Sequence, residues 1–267
     1  MPFEQTILPQ YRDADPDGLI GLKGCMHYFQ DIHTYYMHSI HKGNDELPEQ
    51  YGAAWVYTRY HVSLKNKLDY TDSAQLSTWM EPYRQPVLVN LNFILRQHGQ
   101  LAATGKLENC VFSLVRQRPL RLSAIEFPEN FAEDIPNDIP DFIRLEKSTE
   151  GMTERYRRTV RMSDLDKSNH MTNLRYIDMF QDAYDAAFWK TFDPKEMEIS
   201  FLSQCREGEL LVFHIYCSRT LQVLFPALNQ YNPNQFFSIG DGFGLFIIFT
   251  PEQIAAAKKR HYGFGEN

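Results

Sequence analysis

The sequence predicts an α+β protein made of two tandem repeats, each a long helix wrapped by an antiparallel sheet. Three observations carry this. An acidic motif followed by Phe-Gln-Asp occurs twice at one fixed spacing. An apolar stretch of helical period follows each copy. Strand-like runs then dominate the rest of each half.

The repeat is gapless over its first part. Tyr11-Arg-Asp-Ala-Asp-Pro-Asp-Gly18, running on to Phe29-Gln30-Asp31, lies over Met162-Ser-Asp-Leu-Asp-Lys-Ser-Asn169, running on to Phe180-Gln181-Asp182. The offset is 151 residues at Asp13 and Asp164, at Asp15 and Asp166, and at Phe29 and Phe180. Two matches in register are far more specific than one short match.

Each copy reads alike. A strand comes first, Gln5 to Arg12 and Arg155 to Met162. A turn-prone segment rich in Asp, Ser, Asn and Gly follows. Met171, Leu174, Ile177, Met179 and Phe180 then recur at roughly helical spacing, with the cap-type residues Asp164, Asp166, Ser168 and Asn169 ahead of them. Further strands are expected at Trp55 to Leu64, Ala74 to Glu81, Val87 to Gln97 and Ala102 to Arg116, with His98-Gly99-Gln100 as a hairpin turn. The second copy has strands at Met197 to Ser203, Glu209 to Arg219 and Phe236 to Phe249. Val62-Ser63-Leu64 matches Ile199-Ser200-Phe201 at an offset of 137, so the second connection from helix to strand is 14 residues shorter. Pro119 to Met152 reads as a mostly irregular connector, and Gln222 to Asn234 as a surface loop. The chain thus divides into residues 1–118, a connector 119–154, and residues 155–267.

Bulk properties narrow the function. A formal charge of −7 disfavours a general nucleic-acid binder, which is normally basic. No stretch approaches the roughly 20 apolar residues that span a bilayer, and Met1 to Gln10 lacks a signal-peptide pattern, so the cytoplasm is the default location and no membrane is expected. Cys25, Cys110, Cys205 and Cys217 are scattered without a CxxC pair; reduced, mostly buried thiols follow, with no metal site and no cofactor. The 19 Phe and 15 Tyr suit bulky strand faces and a greasy pocket.

The run Ser163-Asp-Leu-Asp-Lys-Ser-Asn-His-Met-Thr-Asn-Leu-Arg-Tyr-Ile177, together with Trp55-Val-Tyr-Thr-Arg59, Thr78-Trp79 and Arg118-Pro-Leu-Arg121, resembles the acyl-acyl-carrier-protein thioesterases, a double hot-dog family. The resemblance covers roughly residues 3 to 250. It implies hydrolysis of a fatty acyl thioester in fatty acid biosynthesis, an acyl carrier protein as partner, an acyl-chain groove in the first repeat, and catalysis in the second. Hot-dog folds also host acyl-CoA thioesterases, so that reading stays open, as does a non-catalytic acyl-binding protein. A homodimer stays open as well.

Thioester hydrolysis needs an activated water and donors for the developing oxyanion. Asp166 and His170 lie four residues apart at a helix approach, where backbone N–H groups and the helix dipole favour negative charge. His170 reads as polariser or proton shuttle, and its counterpart in the first repeat is Leu19. Asp166 either orients His170 or holds the water; Asp164 reads as structural capping. The resemblance expects Asn where Ser168 stands and Glu where Gln204 stands. A Gln positions water but accepts no proton, so Asp166 or His170 must be the base. Cys205 reads as a buried bystander rather than a nucleophile. Asn173 is expected to fix the helix start and to bind substrate, and Phe29 and Trp79 to line the acyl groove beside Met26 and Tyr36. Arg155, Arg157, Arg158, Arg161, Lys167 and Arg175 form a basic cluster suited to an acidic carrier.

Overall fold

Apolar residues at helical spacing, Leu22, Cys25, Met26, Phe29, Ile32, Tyr36 and Met37, turn Leu22–Ser39 into the first helix, α1, and are buried along it. The computed structural model describes residues 1–83, 87–139, 141–142, 153–191, 194–216, 234–239 and 243–248. They fall into two units, Met1–Phe142 and Ile143–Asn267.

The first unit comprises β1 (Phe3–Ile7), a 3-10 turn at Tyr11–Asp13, α1, α2 (Leu47–Tyr51), β2 (Ala53–Leu64), β3 (Ala74–Met80), β4 (Leu88–Gln97), β5 (Gln100–Ser113) and β6 (Arg118–Leu120). All pairings are antiparallel, in the order β1-β3-β4-β5-β2, with β6 on β5. The β4–β5 hairpin turns at His98 and Gly99, whose φ angles of 52° and 74° are what a two-residue primed turn requires. Helix α1 lies close against the sheet. Phe29 stacks on Phe93 with centroids 5.0 Å apart, and its ring comes within 2.7 Å of where a Cβ on Gly105 would stand. Only glycine at position 105 lets the helix sit this near β5.

The second unit comprises β7 (Thr153–Thr159), a 3-10 turn at Met162–Asp164, α3 (Asn173–Asp182), α4 (Ala186–Thr191), β8 (Glu196–Phe201), β9 (Leu210–Tyr216), β10 (Asn234–Ile239) and β11 (Phe243–Ile248). Its antiparallel sheet runs β7-β9-β10-β11-β8. That is the order of the first unit strand for strand, so the two sheets share one topology. The 3-10 turns lie 151 residues apart, as do the starts of α1 and α3. The 137 offset also appears in space. The Ile20 N–H donates to the Leu68 carbonyl at 2.8 Å, and the Met171 N–H to the Cys205 carbonyl at 2.8 Å.

Several expectations are corrected. The first strand of each repeat is shorter than predicted, because Tyr11–Asp13 and Met162–Asp164 coil into 3-10 turns. The second helix is not one long helix: α3 stops at Asp182, and α4 begins afresh with the Phe188 N–H bonded to the Asp185 carboxylate at 2.9 Å. Phe236 to Phe249 is two strands, β10 and β11, separated in sequence by Gly240-Asp241-Gly242. The expected connector from 119 to 142 falls in the first unit: β6 pairs with β5, Ile125 and Phe127 are buried, and the Glu133 N–H bonds the Met80 carbonyl at 2.8 Å. The rest of the connector, most of the loop from Gln222 and Cys217 lie outside the described residues. Cys25, Cys110 and Cys205 are buried free thiols.

Candidate active site

The segment between β7 and α3 folds into a tight turn before the helix begins. The Asp166 N–H bonds the His170 carbonyl at 2.9 Å, and the Asn169 N–H bonds the Asp166 carbonyl at 3.1 Å. Asn169 takes a φ of 59°, a left-handed conformation that Asn tolerates well. The Asp166 carboxylate closes the turn from within: its Oδ1 accepts from the Ser168 N–H at 2.7 Å and from the His170 N–H at 3.4 Å. Asp166 and Ser168 are exposed, and His170 is half-buried. Asp166 therefore holds the backbone that presents His170.

Gln204 lies in the segment that follows β8. It is exposed and precedes Cys205, whose carbonyl takes the Met171 N–H. The first unit shows where a side chain at this position reaches. Gln204 corresponds to Lys67 (204 − 137), and Lys67 Nζ lies 3.3 Å from Asp15 and 2.8 Å from Asp17. Asp15 and Asp17 are the counterparts of Asp166 and Ser168. The backbone of the two turns matches: the Asp15 N–H bonds the Leu19 carbonyl at 2.8 Å, and the Gly18 N–H bonds the Asp15 carbonyl at 2.9 Å, with Gly18 at a φ of 83°. Asp166, Ser168, His170 and Gln204 thus occupy four positions that the first unit fills with Asp15, Asp17, Leu19 and Lys67. The 137 offset in the sequence already contained the Lys67–Gln204 match, but a four-residue turn gives no sign of which strand runs beside it.

Asp164 is structural, as expected, though it caps the 3-10 turn rather than α3. It is 3% exposed, accepts the Arg161 N–H at 2.8 Å, and pairs with the Arg158 guanidinium, with Arg175 at 4.0 Å. Burial works against its charge. The Arg161 N–H and the two guanidinium groups outweigh burial and hold the carboxyl below the usual range. The α3 N-cap is Thr172, with no side-chain cap, and its own N–H bonds the Asp164 carbonyl at 2.9 Å. Asn173 is the first helical residue and does not supply the cap.

The basic cluster is largely spent on internal bonds. Arg155 donates to the Ala183 carbonyl at 3.0 Å and lies over Tyr184; Arg157 pairs with Glu154, Arg158 with Asp164, and Arg175 with Asp178 at 2.7 Å. Arg161 and Lys167 are exposed on either side of the Asp164 turn. Cys205 is buried, which pushes its thiol up and leaves it a poor nucleophile. Its partner is Tyr176 of α3, to which the sequence reading gave no role; the Arg-Tyr-Ile tail of the motif was the signal for it.

Phe29 and Trp79 are both buried in the first unit, but on opposite faces of its sheet. Phe29 packs on Phe93, whereas Trp79 pairs in register with Asn92, the next residue along, so the two side chains alternate to different sides. The face bearing Trp79 and Asn92 is polar: Asn92 donates to Glu81 at 2.8 Å, and Lys106 Nζ lies 3.1 Å from Glu81. On the α1 side, His33 is buried beside the Tyr57 hydroxyl at 2.9 Å, and burial pushes its imidazole down to about 3. Among the described residues, no group of three or more His, Cys, Asp or Glu is arranged to hold a metal ion, and no helix is long and apolar enough to cross a membrane.

Comparison with known proteins supplies the last observations. The family profile described as acyl-ACP thioesterase N-terminal domain matches residues 2–126, and that described as acyl-ACP thioesterase C-terminal domain matches residues 146–228. Among solved structures, the chain is similar to an acyl-ACP thioesterase from Bacteroides thetaiotaomicron, with 15% identity and a TM-score of 0.75, covering 93% of this chain and 98% of that one. It is also similar to the 12:0-ACP thioesterase from Umbellularia californica, with 16% identity and a TM-score of 0.71, covering 94% and 97%. At such identities these two likenesses establish the fold, a pair of hot-dog repeats. No protein of curated function matches the sequence.

Proposed function

The chain belongs to the acyl-ACP thioesterase family, hydrolases that release fatty acid from acyl carrier protein, and we propose that its reaction takes place at the Asp166–His170 turn with Gln204 beside it. The observation that carries this reading is the contrast between two turns of one backbone. The copy in the first unit holds Leu19 where His170 stands and neutralises its acids with Lys67. The second copy carries an imidazole and a neutral amide at the same two places.

The division of labour follows from the bonds. Asp166 Oδ1 accepts two backbone N–H groups, so the carboxylate fixes the turn and supports positive charge as it develops on His170. An imidazole is the side chain best suited to take a proton from water near neutral pH, so His170 is the base. Gln204 offers both a donor and an acceptor to the attacking water. As water adds to the thioester carbon, the carbonyl oxygen gains charge. The first turn of α3 presents backbone N–H groups that lack acceptors within the helix, and these stabilise it. The proton taken by His170 then passes to the departing thiolate sulfur, leaving free fatty acid and a thiol. Ser168 stands at the mouth of the turn as a hydroxyl contact for the thioester.

The carrier's acidic surface meets Arg161 and Lys167, which are exposed beside this turn. The test is product analysis on matched acyl-carrier and acyl-CoA substrates with wild type, His170→Ala and Asp166→Ala. Faster release from the carrier in wild type, lost in both variants, supports the assignment. Equal rates on both carriers favour an acyl-CoA thioesterase. Binding of acyl chains without release favours an acyl-binding protein. Hydrolysis surviving both substitutions removes the site.

A further inference from the structure

Helix α1 and strand β5 face each other inside the first unit, and their facing residues change character along the way. Phe29 lies over Gly105. One helical turn and four strand residues further on, His33 faces Asn109. His33 Nε2 lies 3.5 Å from Asn109 Nδ2, and His33 Nδ1 lies 2.9 Å from the Tyr57 hydroxyl of β2. Asn109 is 0% exposed and His33 2%. The sheet register agrees, since Asn109 pairs with Tyr57 across β5 and β2. Trp55 and Tyr57 stand edge-on to the imidazole, with centroids 6.2 and 5.3 Å away.

This triad is incompletely bonded. An amide N–H donates, so Nε2 accepts from Asn109, and the proton sits on Nδ1, which donates to Tyr57. The contact to Asn109 is at the long limit of a hydrogen bond, and Asn109 Oδ1 has no partner. Turning the amide over exchanges its ends and still leaves one unpartnered. Buried polar groups are normally bonded, because burial takes away their water. Nor does the fold ask for polarity here. At the matching position of the second unit (33 + 151) stands Tyr184, whose ring stacks on Phe188 at 4.1 Å and meets Phe180 edge-on at 5.7 Å. One copy fills the place with aromatic rings. The other keeps a polar triad, its imidazole held neutral by burial, with one hydrogen-bonding end to spare.

The wall expected to hold the acyl chain includes Met26 and Phe29, and His33 lies one turn further along the same buried helix face. We propose that the His33–Tyr57–Asn109 triad receives a hydroxyl carried on the acyl chain, so that the preferred substrate is a hydroxylated fatty acyl thioester rather than a saturated one. A hydroxyl both donates and accepts, so it completes Asn109 whichever way the amide is turned. A methylene in that place leaves the bond unmade. This rests on the thioesterase reading above and on the chain entering the first unit. The test compares kcat/KM of wild type and Asn109→Leu on acyl carrier substrates of one chain length. The chains are saturated, or hydroxylated beside the thioester, at mid-chain or at the terminal carbon. In wild type one hydroxylated isomer is expected to exceed the saturated chain by at least roughly tenfold. Asn109→Leu, close in volume, is expected to erase that preference. A wild type that handles all the chains alike, or favours the saturated one, overturns the proposal, as does a variant that keeps the preference. If Asn109→Leu does not fold, Asn109→Ser withdraws the amide and is read with the same outcomes. Calorimetric binding of the matching free fatty acids to wild type separates the two levels. Tighter binding of a hydroxy acid without hydrolysis of any substrate defeats the catalytic reading and supports the triad. Hydrolysis that is lost in His170→Ala, with no hydroxyl preference in either measurement, defeats only the triad.

Discussion

In the first unit the Asp15 carboxylate faces Lys67 at 3.3 Å and Leu19 stands at the end of the turn; in the second, Asp166 bonds the N–H groups of Ser168 and His170, and Gln204 takes the lysine's place. The backbone hydrogen bonds of the two turns agree to within 0.2 Å (2.8 against 2.9 Å, and 2.9 against 3.1 Å). Turn geometry alone therefore confers no chemistry. A Lys between two acids offsets their negative charge and holds the Asp17 carboxyl below its usual range, with burial opposing and the Lys67 hydrogen bond, the Leu19 N–H and the lysine's charge prevailing. Exchanging that Lys for an amide and the Leu for an imidazole replaces an ion cluster with a neutral amide and an imidazole at the same two positions.

The sharpest way to break the comparison is at the imidazole. His170→Leu copies the first repeat and is expected to lower kcat by about 10²–10⁴-fold, read from fatty acid release. A loss below about tenfold would mean the two turns differ in something other than this residue. Next comes Gln204→Lys, which rebuilds the Lys67 arrangement around Asp166. The lysine is expected to pair with Asp166 and cut kcat at least roughly tenfold, while far-ultraviolet circular dichroism stays that of wild type. Unchanged turnover would show that position 204 does not reach the turn as position 67 does.

A third test concerns the acid that both repeats share but bond differently. Asp13 pairs with His27 at 2.9 Å and the Tyr28 hydroxyl at 2.9 Å, whereas Asp164 relies on Arg158 and backbone. Arg158→Ala is expected to cost about 1.5–3 kcal/mol in urea unfolding, because it strips a charged partner from a buried carboxylate. The folded pKa of Asp164 is depressed, so its contribution to stability is present above its unfolded value near 3.8 and is lost as pH falls below that. Asp164→Asn should remove this part of the acid limb of the stability curve. An acid limb identical to wild type would place the acid sensitivity elsewhere. The smallest effect is expected for Lys67→Gln, whose partner Asp17 is half-exposed. It should change stability by about 0–1 kcal/mol and leave kcat untouched. A matching fall in kcat would tie the first turn to the reaction.

Much of this was legible in the sequence because it is local. The 151-residue offset located both turns and both helix starts, since a gapless match transmits local hydrogen bonding unchanged. The same offset sets Leu19 against His170, the difference on which the proposed site rests. Period and turn residues also placed the strands to within a few positions. What stayed hidden depended on neighbours distant in the chain. Whether Arg158 faces a carrier or a buried Asp164 is decided by how β7 meets the 3-10 turn. Phe29 and Trp79 looked like one lining, yet strand alternation sends them to opposite faces of the first sheet. The gap between helix and β5 is set by Gly105 under the Phe29 ring, a packing relation between residues 76 positions apart (105 − 29).

For the site itself, sequence alone determined the turn, its acid and its imidazole, because these lie within five consecutive residues whose own side chains and main chain bond one another. Tertiary structure decided the rest. The segment after β8 must fold back beside Met171 before Gln204 approaches that turn. That contact spans 34 residues (205 − 171), and its energy is gained only once the sheet and helix have closed on each other.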